Sequence, residues 1–403
     1  MMKLKKTLYL SLCLVVGLSM LSGCIEEYEA DLPAEDSNLL VVEGTIGSGK
    51  LNKFYLSRAQ AVKSSDAPRM VTGAKVSVRG SDGSEYEALE TGDYYSCTIE
   101  ALNPDVEYFL HIEVGSEVYE SDPQKPLRTE KIADVTGVQE TPASNIDVLV
   151  TPEAPFESAK TNYYSWTYDE TWEVQPEYRT IVYFNTETLA PEDRFDQFPE
   201  RGWKNGRSST IIVGASRNYE GQHIQKLKMY DIARDSERMY YRYSGLLHQR
   251  AISKAEYEYE LARRQAGSEM GGLFTPLPSS LPTNIRCLTS NNRAIGFVGC
   301  SMNTSEYRFF LESTDYSIYQ PRRESRFWLE FEGYDEKEYE KFLKKCLNLA
   351  ENGMYLCLWE DMRESPDGKL RTAWAYLQQL DVRQRGAYIE EPDFWSLKEN
   401  VSY

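Results

Sequence analysis

The chain has 403 residues, a length that allows two or three domains. Charged residues make up 27% and hydrophobic ones 41%, the balance of a chain that folds, so global disorder is excluded. Asp and Glu number 63 against 45 Lys and Arg, a net charge of −18; this argues against nucleic acid, whose binders need a basic footprint, and three His leave little for a multi-His metal site.

The N-terminus carries the strongest signal. Lys3, Lys5 and Lys6 precede a largely apolar run over residues 8–20, which is too short to span a bilayer and reads as a secretory signal. Leu21-Ser22-Gly23-Cys24 then resembles the bacterial lipobox, in which small residues precede a Cys that is acylated and becomes the first residue. Residues 1–23 are therefore expected to be a signal peptide and 24–37 a lipidated acidic tether anchored through Cys24. The anchor's strength is acyl burial, about 0.8 kcal/mol per CH₂, with two or more chains needed for stable attachment. Ile25, rather than Asp, after the Cys favours the outer membrane, and Glu26-Glu27-Tyr28-Glu29 resembles a lipoprotein surface-export signal, the other reading being a solvated tether. No later segment reaches the roughly 18 apolar residues of a spanning helix.

From residue 38 the pattern becomes β. Leu39-Leu40-Val41-Val42-Glu43-Gly44 is a strand, and another begins at Phe54. Ala74, Val76 and Val78 alternate with polar residues, Ser81-Asp82-Gly83-Ser84 turns the chain, and Tyr86, Ala88 and Leu89 return it, a hairpin by alternation and Asp-Gly chemistry. Strands follow from Tyr94, across Val106 to Val114, and at Val118-Tyr119. Short turns between six or seven strands predict an immunoglobulin-like sandwich over 38–128, closed by Pro123 and Pro126. A larger β-rich domain with helical insertions is expected over 129–403, with strands around residues 146–150, 163–167, 178–184 and 209–213 and a loop over 190–196. Helices are expected near 235–265 and 335–350. In the first, Met239, Tyr243, Leu246 and Leu247 share one helical face; in the last, Asp335 and Glu338 resemble a capping box and Asn352-Gly353 a stop. Gly271-Gly272, Pro276, Pro278 and Pro282 form a rigid loop before strands at Ile285 and Phe297. The fold class is thus mainly β.

Beyond Cys13 and Cys24, five Cys remain: Cys97, Cys287, Cys300, Cys346 and Cys357. An odd number leaves a thiol unpaired, and Cys346–Cys357 is the pair a helix–turn–strand would bring together. Chemistry-bearing motifs are sparse. Gly44 to Lys50 matches GxxxxGK, but Leu51 stands where a magnesium-binding hydroxyl belongs and a strand follows instead of a helix, so it reads as a hairpin loop. Asp193/Asp196, Glu330/Glu332 and Glu360/Asp361 have the spacing of paired acids, which in so acidic a chain more often means a solvated face. No G-x-S-x-G, H-E-x-x-H, C-x-x-C or calcium loop occurs. No cofactor or metal is implied, and no catalytic residue. Tyr163, Tyr164, Trp166, Tyr168 and Trp172 crowd ten residues; they read first as sandwich core and, second, with Tyr163, Tyr164, Trp166 and Trp172, as ligand or partner contacts.

Several segments together resemble the Bacteroidota lipoproteins grouped as domain-of-unknown-function family 4249. The residues that carry this are Leu39 to Ile46, Leu56-Ser57-Arg58, Val71 to Val78, Arg238 to Leu247, Pro282 to Ile285, Ile295-Gly296-Phe297, Arg383 to Gly386 and Pro392 to Trp395. The chain departs from the family pattern at Gln379, Val382 and Gly202, where the family often has Cys. The resemblance implies a surface lipoprotein encoded beside a TonB-dependent receptor; it implies no reaction. The expected function is non-enzymatic: an outer-membrane, surface-exposed lipoprotein serving as accessory or ligand-capture partner of a TonB-dependent transporter, the membrane being reached through the lipid. The competing readings are a surface glycan hydrolase using an acid pair and a structural or adhesion module.

Overall fold

The computed structural model describes residues 39–59, 69–156, 160–193, 198–209, 211–268, 281–321, 326–333, 335–361, 368–397 and 399–403. The expected signal, the tether with Cys24 and the Gly271 to Pro278 stretch lie outside these residues. The chain is mainly β, as expected. In order it forms β1 (Leu40–Gly47), β2 (Lys50–Arg58), β3 (Arg69–Met70), β4 (Lys75–Gly80), β5 (Glu85–Thr91), β6 (Tyr94–Ile99), β7 (Tyr108–Val114) and β8 (Glu117–Ser121). Next come β9 (Ile132–Gln139), β10 (Ile146–Pro152), β11 (Tyr163–Val174), β12 (Val182–Asn185), β13 (Ala190–Asp193), β14 (Gly202–Arg207), β15 (Ile212–Ala215), β16 (Leu227–Ile232) and β17 (Arg242–Ile252). The remainder is α1 (Lys254–Ser268), β18 (Ile285–Cys287), β19 (Ala294–Ser301), β20 (Ser305–Glu312), β21 (Phe327–Phe331), α2 (Glu336–Glu351), β22 (Met354–Glu360), β23 (Leu370–Tyr376) and β24 (Val401–Ser402).

Alternation builds the N-terminal layers. In β2, Asn52, Phe54 and Leu56 point inward while Leu51, Lys53 and Tyr55 face out. The Asn52 side chain accepts from Gly47 N at 2.7 Å and donates to Gly47 O at 3.0 Å, so the Gly44–Lys50 run is a clipped hairpin tip. The Asp-Gly turn sits as expected between β4 and β5, with Arg79 opposite Glu85. Strand order is β18-β8-β7-β4-β5-β6-β2-β1-β19, with β5 shared by the two layers. Two of these strands come from residues 285–301, well beyond the 38–128 boundary read from sequence. β19 pairs in parallel with all of β1, from Leu40 opposite Ala294 to Gly47 opposite Ser301, and β18 pairs with β8. Its run Ala294–Ser301 is buried almost throughout; such a run marks a central strand but does not say of which sheet. The two ends of the order meet through Asn284, whose buried side chain accepts from Val298 N at 3.0 Å and donates to Val298 O at 2.9 Å, replacing a ladder pair.

The second sandwich packs the sheet β16-β10-β9 against the sheet β14-β11-β17-β20-β24, with β15 also on β11. Ile146, Val148, Trp166, Tyr243, Leu247 and Phe309 fill the space between them. Here the sequence reading needs correction: residues 235–250 are not helical. A short 3₁₀ turn at Glu237–Met239 leads into β17, which makes ten pairs with β11 and eight with β20. Its Tyr243, Leu247 and Gln249 alternate as well as they match a helical face, and two long ladders override weak local propensity. The segments at 253–265 and 335–349 are helical, as α1 and α2. Asp335 Oδ1 caps α2 by accepting from Lys337 N at 2.8 Å and Glu338 N at 3.2 Å.

A third core unites α2, the sheet β21-β23-β22 and the β12–β13 hairpin around Trp374, Phe342 and Phe184. The expected loop at 190–196 is partly strand: Ala190–Asp193 pairs with β12 after an Asn185 turn that accepts from Glu187 N and Thr188 N. Cys346 and Cys357 are not paired; all five described thiols are free. Cys346 faces the Phe342–Trp374 core, whereas Cys357 lies where the β22–β23 register shifts and packs on the other side against Ala375 and Leu380. Burial pushes these thiols up to about 12 and about 11, which keeps them unreactive.

The β1–β19 pairing has one position that admits only Gly. Gly296 has φ 118°, and a Cβ there would overlap the Val42 carbonyl oxygen. Gly296→Ala is expected to cost about 3 kcal/mol or more. The midpoint of urea unfolding measures it, and an unchanged midpoint contradicts the pairing.

Candidate functional site

β11 divides its residues by parity. Tyr164 and Trp166 point into the core, whereas Asp169, Thr171 and their odd neighbours point to the outer face of the sheet. The ladders extend this face into rows: Arg207, Asp169, Leu246 and Arg308 in one, Thr167, His248 and Glu306 beside it, Asn205, Thr171, Ser244 and Phe310 on the other side. Part of this face is covered by the C-terminal segment. Trp203 and Tyr388 bridge as a strand pair, Trp395 packs edge-on against Trp203 at 6.1 Å, and Arg242 donates to Leu397 O at 2.6 Å and to Trp395 O. The uncovered middle is an open cleft of about 610 Å³, lined by Asp169, Thr171, Asn205, Arg207, Arg308 and Tyr388 among others.

The floor of the cleft is ionic. Asp169 accepts from Arg207 Nε at 2.6 Å and lies 3.0 Å from His248 Nε2, while His248 Nδ1 lies 3.1 Å from Glu306. Both ring nitrogens of His248 thus face carboxylates, and neither is placed to take a proton from a nucleophile. Burial alone would raise the Asp169 carboxyl; the hydrogen bonds from Arg207 and His248 outweigh it and hold the group below the usual carboxylate range. Asn205 Oδ1 accepts from Thr171 Oγ1 at 2.9 Å and from Tyr388 OH at 3.1 Å. Arg308 donates to Ser244 Oγ at 3.1 Å, and its guanidinium carbon stands 3.6 Å from the Phe394 ring centre. The arrangement is suited to holding a polar solute through charged and amide groups beside aromatic faces.

The residues singled out in the sequence lie elsewhere. Cys24 is outside the described residues. Tyr164 is buried and donates to Glu130 Oε2 at 2.9 Å. Trp166 is buried and donates to Gln249 Oε1 at 2.8 Å. Trp172 is half-buried between two apolar clusters, and Tyr163 packs on Tyr257 of α1 at 4.9 Å. Tyr164 and Trp166 therefore present no docking face, and the four residues do not form one patch. Of the acid pairs, Glu330 and Glu332 are bound to Arg371 and Lys369. Among the described residues no group of three or more His, Cys, Asp or Glu side chains is arranged to hold a metal. The cleft residues are missed in sequence because they come from four strands and the C-terminal segment, with His248 and Glu306 meeting only through the β17–β20 register. The legible part is the alternation of Thr167, Asp169 and Thr171 on one face of a strand.

The ion pairs imply a pH dependence. Because the folded Asp169 carboxyl is depressed, its contribution is present above its ordinary value of about 3.9 and is lost as pH falls through the lower folded value. The stability difference between the wild type and Asp169→Asn should hold steady at neutral pH and shrink below about pH 4; a difference that does not change with pH contradicts the pairing.

No curated protein matches the chain. The family described as a domain of unknown function, DUF4249, matches residues 25–307, which include both sandwiches up to β20 and end before α2 and the C-terminal segment. That span is well over half of the sequence, and the chain belongs to the DUF4249 family.

Proposed function

We propose that the protein is an outer-membrane lipoprotein, held by acyl chains on Cys24, that captures a solute at the cell surface as a non-enzymatic accessory of a TonB-dependent transporter. The observation that carries the capturing role is the cleft on the outer face of β14, β11, β17 and β20, a polar floor with an aromatic wall. A sheet face braced by ladders on both sides holds its side chains in fixed register, which lowers the ordering cost of binding. His248, clasped between two carboxylates, acts as a brace rather than a base. The lipobox supports the anchor, and the acidic surface supports a body that remains in solution beyond the membrane.

Two measurements test this. Cys24→Ser should abolish labelling by palmitate and release the protein from sedimenting membranes; a labelled variant overturns the anchor. Affinity purification of the tagged full chain from native membranes in mild detergent should bring a β-barrel receptor with it, and its absence after cross-linking overturns the partner.

A further inference from the structure

Two cations near Glu306, Arg308 in the cleft and Lys50 from the N-terminal sheet, make no ion pair with a described Asp or Glu side chain, in a chain whose charge is strongly negative. Arg308 bonds the Ser244 hydroxyl, is hydrogen-bonded to Tyr403 and covers Phe394, and it makes no ion pair with a described Asp or Glu side chain. Its neighbours on the same face are already engaged: Asp169 by Arg207 and His248, Glu306 by His248. Lys50, from the start of β2, directs its ammonium to Thr304 Oγ1 at 2.5 Å. Both cations are within electrostatic reach of Glu306.

Other arginines show what a partner does. Arg207 and Arg383 are raised by the hydrogen bonds they donate to Asp169 and Asp381. Arg238 and Arg263, though burial lowers them, end up raised by Glu170 and Glu260. Arg308 ends up lowered, because burial outweighs the pull of Tyr403, Asp169 and Glu306. Lys50 is lowered as well, by burial and then by Arg250. A half-buried guanidinium that faces an open cleft without an Asp or Glu partner gains most from an anion, and its planar fork fits a carboxylate with two parallel hydrogen bonds.

Building on the capturing role of the cleft, we infer that its ligand carries a carboxylate, bound by Arg308 where the guanidinium lies over Phe394, with Lys50 adding long-range attraction. The hydroxyl-bonding groups Asp169, Thr171 and Asn205 beside it fit the rest of a hydroxylated acid. The carboxylate could come from a sugar acid or from a simple organic acid.

Calorimetric titration of the full chain with glucuronate, glucose and succinate separates these sources. Glucuronate should bind at least tenfold more tightly than glucose. Arg308→Met should lose that preference, and Arg308→Lys should keep part of it. Lys228→Met, whose ammonium pairs with Asp147 on the other sheet, should bind as the wild type does, and circular dichroism confirms that each variant is folded. Succinate binding as well as glucuronate assigns the carboxylate alone; succinate failing assigns the sugar acid; either supports the inference. Glucose binding as tightly as glucuronate, with Arg308→Met silent, overturns the carboxylate while leaving solute capture in place. No binding of any probe by folded protein overturns the inference, whereas the transporter partnership stands or falls on its own purification.

Discussion

The parallel pairing of Leu40–Gly47 with Ala294–Ser301 holds the rest of the molecule in place. A parallel pair cannot be joined by a hairpin and needs a crossover. Here the crossover is the remainder of the first sandwich, most of the second, and α1. Completing the N-terminal sheet therefore requires the chain to have passed through β9 to β17 already. Neither sandwich is a self-contained sequence segment, and closing so long a loop carries an entropy that grows only with the logarithm of its length. The compensation is a strand buried on almost every residue and the Asn284 side chain, which satisfies the backbone of Val298 where the ladder ends.

The same topology fixes the sandwiches against each other. α1 follows directly from β17 and lies on strands of both sandwiches. Tyr259 packs on Phe297 of β19 at 5.5 Å, Tyr257 packs on Tyr163 of β11, and Arg263 reaches Glu43 of β1. At its start, Arg250 makes a two-pronged pair with the buried Glu256, at 2.5 and 3.2 Å, directly over Gly299, where a Cβ would collide with both side chains. Buried charges of this kind are tolerated only when each is fully paired. The pair registers the end of β17, and so the rows of the outer face, against β19. That contact adds to the ladders and to the Asp169–His248–Glu306 contacts that hold the cleft floor.

The cleft also shows how an acidic chain can present cations. Most Arg and Lys heads with a described partner sit beside Asp or Glu, so the excess negative charge spreads over the surface. The Arg207–Asp169–His248–Glu306 chain uses up the acids of the floor in contacts with one another. Arg308 then faces the open cleft with an aromatic ring against it. Screening over about 8 Å at physiological salt makes this local arrangement matter more than the net charge.

Period and turn chemistry made much of the fold readable in advance. Alternation marked β4, β5, β7 and β10, Asp82-Gly83 marked the hairpin tip, and the cap at Asp335 with the stripe through Phe342 and Cys346 marked α2. The residues around Tyr243 fitted both periods, and only the neighbouring strands β11 and β20 made them extended. Likewise the crowd of Tyr and Trp in β11 was visible, but parity about a sheet decides which side is core, and that side received Tyr164 and Trp166. By itself the sequence determined the β class, the acidic balance, the local hairpins and the lipobox-like run Leu21-Ser22-Gly23-Cys24, all of them properties of neighbouring residues. Tertiary structure alone decided that β19 completes the first sandwich, that Cys346 and Cys357 face opposite sides of a sheet, and that Arg207, Asp169, His248, Glu306 and Arg308 share one face. Those outcomes depend on register between strands remote in the chain, and register is set by global packing that no local pattern encodes.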